Sequence, residues 1–180
     1  MKQVLAVRNR QRIQSVNLNH LRRLIRALLS TSMGVDQYEL GVHLVGTIEM
    51  TRLNETFLNH VGSTDVITFN HLNPTPPDPA GVLHGEIFIC MDEVLHQARQ
   101  FRALWQKELV RYVIHGLLHL RGYDDHESAD RREMKRAEER LLRGLARQFP
   151  FAGLEMPPRK RAVAASGNLT SRRFSKECHP

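Results

Sequence analysis

Three features of the sequence predict an α+β fold. Four short segments read as strands, about five repeat apolar residues at helical spacing, and one of those helices is apolar on nearly every side. The expectation is a small four-stranded sheet flanked by about five helices, with the apolar helix at the centre of the core.

Taken in order, residues 2–8 read as a strand, and Val16, Leu18, Leu21, Leu24, Ile25, Leu28 and Leu29 then recur at helical spacing, with Asn17 or Asn19 as cap. The opposite face of that helix carries Arg22, Arg23 and Arg26, a basic stripe that fits either a solvated face or an RNA contact. Residues 38–45 alternate as a half-buried strand. A short helix follows, capped by Thr47 and turning Met50, Leu53 and Phe57 inward. Segments 65–70 and 85–90 read as two more strands. Between them, residues 71–81 hold four prolines and so form an exposed loop. Asp92 caps a helix to about Arg102, a longer one runs from Trp105 to Arg121, and a last one from about Ser128 to Gln148 packs through Met134, Ala137, Leu141, Leu142 and Leu145.

The 180 residues suffice for one domain, over 1–150, followed by a tail over 151–180. Beyond Met156-Pro157-Pro158 the composition turns to Pro, Ser, Ala and basic residues, which predicts disorder. Of the net charge of +7, the last 24 residues carry +5, so the folded part is only mildly basic. A basic tail raises encounter with phosphate backbones without specifying chemistry. No run approaches the roughly 18 apolar residues of a membrane span, and no secretory signal opens the chain. Cys90 and Cys178 are too few and too far apart for a disulfide framework, which predicts a reducing, cytoplasmic setting.

Chemistry concentrates in His115-Gly-Leu-Leu-His119-Leu-Arg-Gly122-Tyr-Asp-Asp125-His126. Histidines four apart share one helix face, where both imidazoles reach a single ion. Gly122 supplies a left-handed stop, after which the chain doubles back and offers Asp125 or His126 as a third ligand. Spacing favours Asp125 and ligand type favours His126. Burying two imidazoles without partners costs about 1–3 kcal/mol each, so a shared metal is the better account. Zinc suits a three-ligand site with an open position. Zinc proteases place a glutamate general base directly after the first histidine, and Gly116 stands there instead. Peptidase chemistry is therefore disfavoured, while hydrolysis by an activated water remains.

Residues 115–124, His-Gly-Leu-Leu-His-Leu-Arg-Gly-Tyr-Asp, resemble the signature of the YbeY family, zinc-dependent endoribonucleases of ribosomal RNA maturation and ribosome quality control. Ser63-Thr-Asp-Val-Ile-Thr-Phe69 and Gly85-Glu-Ile-Phe-Ile-Cys90 are similar to two further motifs of that family, and the resemblance covers roughly residues 2–148. It implies a mixed sheet, a metzincin-like zinc helix over a cleft, and one zinc ion per chain. It also implies single-stranded ribosomal RNA precursors as substrate, cut late at the small-subunit 3′ end, and the small subunit or its assembly factors as partners, with no membrane. The chain departs from the family pattern at Asp125, where the third histidine usually stands, and at Leu58, where an arginine often does. Asn54 and Thr64 match the family pattern, though capping and turn stabilisation explain both. Two competing readings are an RNA- or ribosome-binding assembly factor with structural zinc, and a metallopeptidase with an unrelated base.

Overall fold

The computed structural model describes residues 2–72 and 82–156. The Pro-rich segment, Cys178 and the basic tail beyond Met156 lie outside the described residues. Strand β1 (Gln3–Asn9) leads to helix α1 (Leu18–Ala27), whose end loosens into a π-helical turn, Leu28–Ser32. Then come β2 (Gln37–Val45), α2 (Thr47–Leu53) with a second π turn (Asn54–Leu58), β3 (Val66–Asn70) and β4 (Val82–Cys90). Helices α3 (Met91–Gln100), α4 (Trp105–Leu120) and α5 (Ser128–Gln148) follow, closed by a 3-10 turn at Phe151–Leu154.

The sheet runs β1-β2-β4-β3, with β1, β2 and β4 parallel and β3 antiparallel to β4. This is the mixed four-stranded sheet with five α-helices expected for an α+β chain. The parallel pairs need crossovers, which α1 and the α2–β3 segment supply. On one face Leu40, Val42, Leu44, Ile87 and Ile89 pack with residues of α1, α4 and α5. On the other, a smaller cluster of Val45, Met50, Ile67, Phe88 and Cys90 gathers beside α2.

Helix α4 lies hard against β4, and Gly116 permits it. A Cβ at that position would stand 2.7 Å from Cγ2 of Ile87, which is fully buried. Gly116→Ala is expected to destabilise the fold by about 1–3 kcal/mol through overpacking, despite up to about 1 kcal/mol gained in helix propensity. Urea unfolding checks this, and an unchanged midpoint would show that Ile87 gives way.

Local details depart from the sequence reading where tertiary contacts take over. Asn17 caps α1 as expected, its Oδ1 accepting from the His20 N–H at 3.1 Å. Thr47 does not cap α2: Gly46 is its N-cap, and the Thr47 N–H is met by Asp92 Oδ2 at 2.8 Å. Asp92 therefore does not cap its own helix, which starts after Cys90. Phe57 lies within the π turn, whose wider pitch takes it off the α-helical stripe; it is 59% exposed and keeps an edge-on contact with Phe69. At the other end, packing outlasts residue 150. Leu154 is fully buried, and its carbonyl accepts from the Asn17 N–H.

Candidate metal centre

Buried Leu109, Val113, Ile114, Leu117 and Leu118 anchor α4 in the core, so the flank bearing His115 and His119 is held rigidly. The helix ends in a Schellman motif. Gly122, at φ 86°, takes the left-handed position, with its N–H donating to His119 O (2.9 Å) and that of Tyr123 to Leu118 O (3.1 Å). This reversal aims the Tyr123 carbonyl at Nδ1 of His119, 3.1 Å away.

The loop that follows is fastened at several points. Asp124 Oδ1 accepts from the N–H groups of Asp125 (2.7 Å) and His126 (3.2 Å), bonds that hold its pKa below the usual carboxylate range. From α5, Arg131 donates Nε to Asp125 O (3.0 Å) and Nη2 to His126 O (3.1 Å). Thus Asp125 is presented inward, its Oδ2 lying 4.0 Å from Nε2 of both His115 and His119. His126 points away, with an 87% exposed side chain beside Asp124.

The two Nε2 atoms stand 3.1 Å apart. Each ring has its other nitrogen committed: Nδ1 of His119 to the Tyr123 carbonyl, Nδ1 of His115 to Glu138 Oε2 at 3.4 Å. With both Nδ1 protons assigned to these acceptors, both Nε2 lone pairs face each other and a carboxylate. Ligand atoms of His115, His119 and Asp125 lie within 4.8 Å of one another, a set that could hold a metal ion; Asp124, Asp125 and His126 form a second such set, with Asp124 and His126 exposed. Tetrahedral zinc ligands at 2.0–2.1 Å from the ion sit about 3.3 Å apart, so small movements complete the first set. The histidine side chains are 25% and 26% exposed, so the cluster is reachable from solvent.

The two imidazoles are shifted in opposite directions. Burial opposes protonation of His115, but the Glu138 carboxylate outweighs it and the pKa rises. Burial, then the neighbouring His115, lowers that of His119. Glu138 is itself buried and bridges to Arg111 at 3.0 Å, giving a chain Arg111–Glu138–His115. Such carboxylate–histidine contacts fix ring orientation in metal sites.

Glu138 and Arg131 were missed by sequence reasoning. For Glu138 a signal existed: it is the one carboxylate among Met134, Ala137, Leu141, Leu142 and Leu145 on the packing stripe of α5. Arg131 left none, since its role is to backbone atoms. Gly116 packs against Ile87, where even a Cβ would stand 2.7 Å from Cγ2, so the position leaves no room for a larger side chain without a shift. Asn54 is buried and donates to the Gly62 carbonyl at 2.9 Å, Thr64 bonds to Asp65, and Leu58 is 42% exposed. On α1, Arg22 binds the Val7 carbonyl and Arg23 meets His20, while Arg26 is exposed. None of these joins the His115 cluster.

The family model described as Endoribonuclease YbeY matches residues 6–146. A relative from Chlorobium luteolum carrying that name is 36% identical over 126 residues, 69% of this chain and 88% of its own. Another from Alkaliphilus metalliredigens is 29% identical over 152 residues, covering 80% of this chain and 97% of its own. Among solved structures, a solution structure of a Thermotoga maritima protein is similar at a TM-score of 0.58 and 28% identity, covering 88% of this chain and 100% of that one. With the matched motifs falling on β3, β4 and α4, around the histidine pair, this chain belongs to the YbeY family.

Proposed function

We propose that the chain is a zinc-dependent endoribonuclease that cuts single-stranded ribosomal RNA precursors, late at the small-subunit 3′ end, in the cytoplasm and with the small subunit or its assembly factors as partners. His115, His119 and Asp125 are the proposed ligands. The observation that carries the reading is the convergence of three electron-pair donors whose orientation is set by Tyr123, Glu138 and Arg131. Family membership supplies the RNA substrate. Among the described residues no helix is long and apolar enough to cross a membrane.

Bound there, zinc supplies Lewis acidity toward a phosphoryl oxygen and a water pKa lowered toward about 7. The chain's own residues do the positioning: Tyr123 and Glu138 orient the imidazoles, and Arg131 holds the loop that brings in Asp125. No side chain is assigned as general base. Arg22, Arg23 and Arg26 are proposed as outlying phosphate contacts, of which Arg26 is the least committed to protein partners.

Metal removal tests the assignment and separates it from a structural ion. Because α4 is held by core packing rather than by its histidines, a chelator is expected to abolish RNA cleavage while leaving the far-ultraviolet circular dichroism intact, with zinc restoring cleavage. Undiminished cleavage after stripping would defeat the proposal, and loss of the fold would favour the assembly-factor reading.

A further inference from the structure

Two open grooves meet at Arg111, Lys135 and Glu139. One contains His115 and Asp125; the other runs along α5 and is lined by Arg132, Arg136, Arg140, Arg143 and Arg147. These positions recur every three or four residues, so they form one exposed stripe, about 22 Å long at 1.5 Å per residue.

The stripe works against the helix that carries it. Arg132–Arg136, Arg136–Arg140 and Arg143–Arg147 are like-charge pairs one turn apart, each unfavourable by about 0.2–0.5 kcal/mol. Arg131 and Arg132 sit near the positive end of the helix dipole. Among the described residues Glu139 is the only acid lining this groove, and it is already shared between Arg143 (2.8 Å) and Arg111 (3.8 Å). Among the described residues, Arg132, Lys135, Arg136, Arg140 and Arg147 take part in none of the ion pairs, which otherwise involve Arg111 and Arg143 on this side. A polyanion relieves this repulsion. No large apolar side chain is exposed on α5, which disfavours a membrane surface.

We propose that this stripe on α5 is a phosphate track that carries a single-stranded RNA backbone into the groove holding His115 and Asp125. The inference rests on the nuclease reading for the identity of the polyanion. Among the described residues no aromatic side chain lines this groove, so the track reads charge and not bases.

The test compares two triple variants of the full-length, metal-loaded chain with equal net charge. Arg136→Gln/Arg140→Gln/Arg147→Gln removes track residues. Arg8→Gln/Arg12→Gln/Arg52→Gln removes three exposed arginines from elsewhere. Binding to labelled oligo-uridine is followed across a salt series from the anisotropy before turnover. At about 0.7 in log–log slope per phosphate contact, the track variant is expected to lose about 2 from the slope and roughly 100-fold in affinity near 0.1 M salt. The control is expected to lose far less. Equal losses in both variants, or an unchanged slope in the track variant, would overturn the track, and chelator-sensitive cleavage would still uphold the nuclease reading. RNA bound through the stripe by a protein that never cuts it would sustain the track and overturn the nuclease.

Discussion

Asp125→Asn is expected to strip the protein of most of its zinc and lower RNA cleavage by about 1,000-fold, whereas His126→Ala leaves zinc content and rate near those of the parent. The difference follows from two carboxylate and imidazole positions one residue apart. Asp125 Oδ2 is 4.0 Å from both histidine Nε2 atoms, while His126 is almost fully exposed beside Asp124. The amide keeps the size and the Arg131 contacts, which go to backbone carbonyls, and removes the charge that makes the group a zinc ligand. Metal catalysis supplies several kcal/mol, and about 4 kcal/mol is three decades in rate. Elemental analysis of the purified variants, with cleavage of a single-stranded RNA, decides the matter. Zinc loss in His126→Ala rather than Asp125→Asn would mean that the loop rearranges around the ion.

Glu138→Ala is expected to weaken zinc binding about 10- to 100-fold and to destabilise the protein, with Glu138→Gln recovering much of the stability but less of the affinity. The carboxylate accepts from Arg111 at 3.0 Å and faces His115 Nδ1 at 3.4 Å. Truncation leaves Arg111 without its nearest acid and frees the His115 ring to rotate. The glutamine keeps a hydrogen-bond acceptor for the ring but loses the charge that strengthens Nε2 as a donor to the ion. Competition with a chromophoric chelator measures the affinity, and urea unfolding measures the stability. A loss of stability with unaltered zinc affinity would mark Glu138 as a packing residue alone.

Much of this molecule was legible in one dimension. Periodic patterns located β2 and α5 because each keeps a polar face opposite its buried one, whereas α4, buried on most sides, was legible as a long apolar run. The histidine pair, four residues apart before a helix-stopping glycine, was legible because its geometry is local to one helix and one turn. Thr47 and Asp92 were read wrongly for the opposite reason. Each has good capping chemistry, but Asp92 caps across 45 residues, a contact that no local rule sees.

By itself, then, the sequence determined that a rigid helix presents His115 and His119 side by side, and that Gly122 turns the chain back toward them. Whether Asp125 or His126 reaches the pair was decided only in the folded chain. That choice depends on Arg131 gripping two carbonyls and Asp124 gripping two amides, bonds that rotate one side chain in and its neighbour out. The same holds for Glu138, a charge on an apolar stripe until α5 docks on α4 and sets it against an imidazole.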